Sequence, residues 1–199
     1  DVAKYPDGSL STHAVYGSGR MYNMCYKVAY EKNAQKLHDA LVDLGFRGIL
    51  YNDVYSIVPP TECCDPNHPV NSKEAQMWGY KTLEDGAKKL GGVASEGGYD
   101  HFASILDYCL YAIFSDSYEN VNVKPMRDAY IPLWHIVYNG TILSCPISSC
   151  VNYTVKEPDV AMKQLEYGGH PTYYFYSAHR DDAANWMGGR TKTGVSKDL

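Results

Sequence analysis

The chain has no apolar run near the ~20 residues that span a bilayer, and its start lacks the charged, apolar and small-residue order of a signal peptide. No membrane association is expected. It also has no surplus of positive charge. Against 23 Asp and Glu stand 18 Lys and Arg, for a net charge of −5 with the signs interspersed. That removes the basic stripe that nucleic acid or anionic lipid requires. There is no G-x-G-x-x-G, no G-x-S-x-G elbow and no C-x₂-C pair. A dinucleotide fingerprint, an elbow-type serine nucleophile and the commonest zinc spacing are therefore excluded. No cofactor and no metal are expected. The chain begins at Asp1 and not at Met, so the expectation is a processed product, a truncated form or a fragment.

What is present is the composition of a globular chain. It is 45% hydrophobic and 21% charged over 199 residues, enough to bury a sizeable core. Nineteen tyrosines and three tryptophans supply aromatic faces that fill cores and also stack on sugar rings. Six cysteines (Cys25, Cys63, Cys64, Cys109, Cys145, Cys150) fix no disulfide framework. Cys145 and Cys150 flank Pro146 and would close a small loop in an oxidising compartment, and Cys63 or Cys64 would reach a distant partner. The cluster Cys63, Cys64, Asp65 and His68 suggests metal ligands, but a Pro-rich surface loop is the plainer account, because neighbouring side chains seldom converge on one ion.

Periodicity and punctuation order the chain. Residues 1–20 read as an entry segment and Met21 to Tyr26 as a short strand. Tyr30 to Leu44 carries Ala34, Leu37, Ala40, Leu41 and Leu44 at helical spacing, with Gly45 where a C-cap glycine belongs. Arg47 to Tyr55 is an apolar run ending in polar residues, as in a strand buried on both faces. A long loop with Pro59, Pro60, Pro66 and Pro69 spans Ser56 to Val70. Ser72 is a plausible N-cap for a helix to Leu90, ended by Gly91 and Gly92. Val93 to Glu96 reads as a strand, His101 to Phe114 as a helix, Ile131 to Tyr138 as a strand, 158–167 as a helix and Thr172 to Tyr176 as a last strand. The tail, 180–199, is polar.

Strands alternating with helices mean a parallel sheet with helices outside, closed either as a doubly wound sheet or as part of a (β/α) barrel. Three strand ends carry polar groups (Asn52 and Asp53; Ser95 and Glu96; His135 and Tyr138), and barrels place their chemistry at such ends. The expected fold is thus α/β, a parallel (β/α) barrel of TIM type. One domain over 1–199 would supply its C-terminal, catalytic-side part of about five βα units. A full barrel needs ~200–250 residues or more, so an upstream segment or another chain would complete it.

Asp53 and Glu96 close consecutive parallel strands and would be neighbours across the barrel mouth. That adjacency suits the ~5–5.5 Å separation of the two carboxylates of a retaining glycosidase. The plainer account has Asp53 capping its loop and Glu96 pairing with an Arg. Tyr55 and Trp134 are candidate sugar platforms, though aromatics on apolar strands are usually core. His135 and Tyr138 are candidate substrate contacts, of which an alternating strand would point only one inward. Asp100 and His101 read as a helix start, and Glu166 and Tyr167 as a helix end.

The blocks Gly48-Ile-Leu-Tyr-Asn-Asp-Val-Tyr55, Ala94-Ser-Glu-Gly-Gly98, Ile131-Pro-Leu-Trp-His-Ile-Val-Tyr-Asn-Gly140 and Gln164-Leu-Glu-Tyr-Gly-Gly169 resemble the successive strand and loop blocks of a bacterial glycosidase-like barrel family. That family is distantly similar to the endo-α-N-acetylgalactosaminidases. The resemblance runs from about Met21 to His179. It implies a retaining glycoside hydrolase acting on an α-linked glycan, with Asp53 as nucleophile and Glu96 as acid/base, in a secreted or cell-surface protein. The N-terminal half of such a barrel and its accessory β-domains are not in the sequence. Two other readings stand beside it: a non-catalytic carbohydrate-binding or assembly fragment, and a metal-dependent hydrolase using Asp53, Glu96 and His135.

Overall fold

The computed structural model describes residues 1–16, 19–111, 131, 133–145, 165, 166 and 168–170. It divides into two compact units: Asp1–Ser95 with Asp100–Leu106, and Glu96–Tyr99 with Asp107–Leu199.

In the first unit the entry segment is not a loop. It forms an antiparallel pair, β1 (Thr12–Tyr16) with β2 (Gly19–Tyr22), in which Thr12 faces Tyr22 and Val15 faces Arg20. Isolated bridges, Val2 with Met24 and Lys4 with Leu10, extend the pairing towards the N-terminus. The chain then turns helical at Tyr26, where a strand was expected. Helix α1 (Tyr26–Val28), a π-helical stretch (Ala29–Ala34) and α2 (Gln35–Asp43) follow without a break.

The π turn admits one residue more per turn than an α-helix, so it rotates every position after it. The expected apolar face is displaced accordingly: Leu37 is 59% and Leu44 74% exposed, whereas His38 is 1% exposed. Gly45 ends the helix with φ at +89°, and its N–H donates to the Val42 carbonyl as the Phe46 N–H does to that of Leu41. The expected C-cap glycine is thus where the sequence puts it.

Strand β3 (Gly48–Asn52) and β4 (Gly91–Gly97) pair in parallel, from Gly48 with Gly91 to Asn52 with Ser95. Between them runs α3 (Ser72–Leu90), whose cap is Asn71, one residue before the expected Ser72. The Asn71 side chain accepts from the Glu74 N–H at 2.9 Å while the Glu74 carboxylate accepts from the Asn71 N–H at 3.0 Å, a reciprocal capping box. Helix α3 buries Ala75, Gly79, Thr82, Leu83, Gly86 and Leu90 on one face. Its two glycines permit close approach. A Cβ on Gly79 would lie 2.7 Å from the Phe102 ring, and one on Gly86 would lie 3.0 Å from Leu50.

Strand β3 departs from the expectation of burial on both faces. Ile49 is 54% exposed, and β3 pairs as a strand with β4 alone among the described residues. Between α2 and α3 a polar cluster replaces apolar packing. His38 Nδ1 lies 2.8 Å from Asp85 Oδ2, and Lys89 Nζ reaches Asp85 at 3.1 Å and Asp39 at 2.6 Å. Desolvation pulls the Lys89 ammonium down, and the two carboxylates outweigh it, so its pKa is raised.

The expected helix from His101 to Phe114 is absent over the described residues. A 3₁₀ turn (Asp100–Phe102) ends at Phe102, which is fully buried, and Tyr108–Tyr111 is a strand, β5, of the second unit. Conversely, the expected strand from Ile131 to Tyr138 is a helix, α4 (Leu133–Tyr138). Short apolar runs fit both geometries, and pairing decides. Here β5 pairs in parallel with β6 (Leu143–Ser144), Tyr108 facing Leu143 and Cys109 facing Ser144, and α4 falls between them along the chain. Of the expected helix over 158–167, Leu165 and Glu166 are helical and the remainder lies outside the described residues. The expected strand from Thr172 to Tyr176 and the tail 180–199 also lie outside them.

The architecture is therefore mixed α/β with parallel strand pairs. No described helix is long and apolar enough to cross a membrane.

Candidate active site

Strand β3 gives out at Asn52, and the next residues turn sharply. The Tyr55 N–H donates to the Asp53 carbonyl at 2.8 Å, and the Ile57 and Val58 N–H groups donate to the Val54 carbonyl at 3.1 and 3.2 Å. Val54 takes a φ of +68°, left-handed for a β-branched residue. Such backbone costs on the order of 1–3 kcal/mol and persists only where the surroundings impose it, most often at functional sites. Asp53 itself is exposed, and its carboxylate accepts from the Tyr51 hydroxyl at 2.8 Å, which orients it.

What holds this turn is a residue the sequence reading treated only as a neighbour of Glu96. Ser95 is fully buried; its hydroxyl donates to the Asn52 carbonyl at 2.6 Å and accepts from the Ser56 N–H at 3.0 Å. One side chain of β4 thus ties the end of β3 to the turn after Asp53. Asn52 Nδ2 is buried without a hydrogen-bond partner. The one available signal in the sequence was a small hydroxyl residue after an apolar strand.

Tyr55 is half-buried and stacks on Tyr26, with centroids 5.2 Å apart and planes 16° from parallel. Burial pushes its phenol upward, against the opposing hydrogen bond with Thr82. Its ring is committed to packing in the first unit.

Glu96, partly buried, is the first residue of the second unit. Asp53 and Glu96 each follow one member of the last register pair of β3 and β4, Asn52 and Ser95. In the same unit α4 carries Trp134, His135 and Tyr138. Their helical placement corrects the strand expectation, since His135 and Tyr138 are three apart on a helix and not on opposite faces of a strand. Trp134 and Tyr138, one turn apart, bring their rings to 4.3 Å. His135 is buried, with Nε2 3.2 Å from the Ser144 hydroxyl, and desolvation holds its imidazole below the usual value. His135 Nδ1 and Trp134 Nε1 are buried without partners.

The grouping of Cys63 and His68 is closer than the Pro-rich loop account allowed, and it includes Cys25. The Sγ atoms of Cys25 and Cys63 and a ring nitrogen of His68 lie within 4.8 Å of one another. Cys64 is exposed and outside the group, and Cys25, Cys63 and Cys64 are in no disulfide. The loop-closing partner considered for Cys145, Cys150, lies outside the described residues.

No protein-family model and no curated protein match the chain. Solved structures do. The chain is similar to the α-N-acetylgalactosaminidase NagBb from Bifidobacterium bifidum. Against a quadruple mutant of that enzyme the TM-score is 0.73 at 20% identity, over 89% of this chain and 28% of the other. Against its Gal-NHAc-DNJ complex the TM-score is 0.73 at 21% identity, over 95% and 29%. Against the ligand-free form it is 0.65 at 17% identity, over 84% and 31%. The likeness establishes a fold shared with part of a glycoside hydrolase, and the chain spans less than a third of that enzyme.

Proposed function

We propose that this chain is the carboxylate-bearing part of a retaining glycoside hydrolase that cleaves an α-linked glycan, its strands completed into a (β/α) barrel by further sequence. The observation that carries the reading is the β3 and β4 register. Asn52, the last residue of β3, faces Ser95, so Asp53 is the first residue after β3 and Glu96 the next residue along β4. The fold shared with an α-N-acetylgalactosaminidase supports it. So does the strained Val54 beside Asp53.

Asp53 attacks the anomeric carbon and Glu96 protonates the departing glycosidic oxygen. Glu96 then takes a proton from water, which releases the sugar from Asp53. Tyr51 orients the nucleophile, and in the second unit the paired rings of Trp134 and Tyr138 are an aromatic face of the kind that stacks on sugars.

The test is hydrolysis of an aryl α-N-acetylgalactosaminide, with far-ultraviolet circular dichroism as the control for folding. Asp53→Asn and Glu96→Gln should each lose ~10²–10⁴-fold or more in rate while staying folded. The Glu96 variant should recover on substrates whose leaving group needs no protonation. Near-full activity in either variant removes the assignment. Sugar binding without hydrolysis by the unmodified chain would instead favour a carbohydrate-binding fragment, a role consistent with the exposure of Asp53.

A further inference from the structure

We propose that Cys25, Cys63 and His68 form a binding site for a thiophilic divalent ion of the zinc class, independent of the carboxylates. The three donors come from separated parts of the first unit. Cys25 lies between β2 and α1, while Cys63 and His68 flank the tight turn that precedes α3, where Cys63 bridges Val70. Their ligand atoms lie within 4.8 Å of one another, with Cys63 Sγ 3.3 Å from His68 Nδ1. In a tetrahedral zinc site with Zn–S near 2.3 Å, neighbouring donors are ~3.8 Å apart, so the group needs to shift by no more than about 1 Å.

The environment selects the ion. Cys25 is 0% and Cys63 2% exposed, within an apolar cluster of Ala3, Val28, Val70 and Ala75. Two thiolates there would be costly alone. With a divalent cation they form a neutral assembly: two S–H bonds break, two metal–thiolate bonds form, and two protons leave to solvent. Calcium and magnesium prefer oxygen ligands, which this set does not offer.

The imidazole is already oriented for the task. On its far side, Nε2 lies 3.6 Å from Asp65 Oδ2, which is itself paired with Lys4 Nζ at 2.6 Å. A carboxylate behind the ring favours the proton on Nε2 and leaves the Nδ1 lone pair towards the thiols, the arrangement that second-shell carboxylates give metal-bound histidines. The sequence offered Cys63 and His68 but could not supply Cys25, which only the tertiary fold brings to them.

The experiment uses the full chain, reduced and stripped of metal, titrated with zinc chloride and, separately, with cobalt(II) as a spectroscopic probe. One equivalent of zinc should bind and raise the melting temperature. Cobalt should give a thiolate charge-transfer band of two-sulfur intensity. Cys25→Ser and Cys63→Ser should each abolish the band, Cys64→Ser should leave it unchanged, and Asp65→Asn should weaken binding ~10–100-fold. If a serine variant does not fold, the wild-type stoichiometry and cobalt spectrum decide. Absence of stoichiometric binding, a band that survives Cys25→Ser, or a Cys25–Cys63 disulfide in the protein as purified overturns the site.

Discussion

Replacing Ser95 by alanine removes one oxygen and two hydrogen bonds at the point where the end of β3 meets the turn. The Asn52 carbonyl loses its donor at 2.6 Å and the Ser56 N–H its acceptor at 3.0 Å, both in a buried setting. Each buried backbone group deprived of such a partner costs ~1–3 kcal/mol, so Ser95→Ala, which deprives two, should destabilise the chain by about 2–6 kcal/mol. Urea unfolding followed by circular dichroism measures this as a lower midpoint with an unchanged slope. A second effect separates this from a generic core defect. The strained Val54 persists only while its surroundings impose it, so losing the Ser95 tie should let the turn relax and displace Asp53. If the proposed chemistry holds, kcat falls at denaturant concentrations where the protein is still folded. Ser95→Thr, which keeps the hydroxyl, should recover part of both. A loss below about 1 kcal/mol for Ser95→Ala would refute the reasoning, since it would mean that other groups hold the end of β3.

The glycines of α3 give an opposed pair. Gly79→Ala should destabilise, because a Cβ 2.7 Å from the fully buried Phe102 ring forces repacking at ~1–3 kcal/mol, more than the ~1 kcal/mol gained in helix propensity. Gly86→Ala meets a Leu50 methyl at 3.0 Å and the His38 ring at 3.4 Å, a milder clash than at Gly79, so the gain in propensity should leave its melting temperature equal or higher. Asn71→Ala removes the cap of α3 and should cost ~1 kcal/mol in the same unfolding assay. The Lys4 ammonium beside Asp65 leads the causes that hold its carboxyl at about 2, below the ~3.9 of an unfolded chain. A depressed carboxylate stabilises above the unfolded value and loses that contribution as pH falls from near 4 through about 2. Asp65→Asn should flatten that part of an acid-unfolding profile measured by melting temperature.

Much of the chain's local organisation was legible because the signals are local. Gly45 ends its helix in the left-handed region, α3 starts within one residue of its expected cap, and β3 and β4 fall where apolar runs end in polar residues. The errors fall where a short apolar run suits two geometries. Tyr108 to Tyr111 was read into a helix, and it is a strand because Leu143 and Ser144 are there to pair with it. Leu133 to Tyr138 was read as a strand and is the helix between those two, although Pro132 immediately before it in the sequence is itself a helix-start signal. The apolar face expected on residues 30–44 failed for another reason: a π turn upstream rotates Leu37 and Leu44 outward and His38 inward, and no periodicity within the segment announces that.

The sequence by itself determined that parallel strands run into Asn52 and through Val93 to Glu96, and that an acid stands at each place, because strand period, glycine punctuation and apolar runs are properties of neighbouring residues. Only the tertiary structure decided the register that pairs Asn52 with Ser95, the buried hydroxyl that ties the end of β3 to its turn, and the meeting of Cys25 with Cys63 and His68. Those depend on which distant segments share space, and burial, not spacing along the chain, sets that.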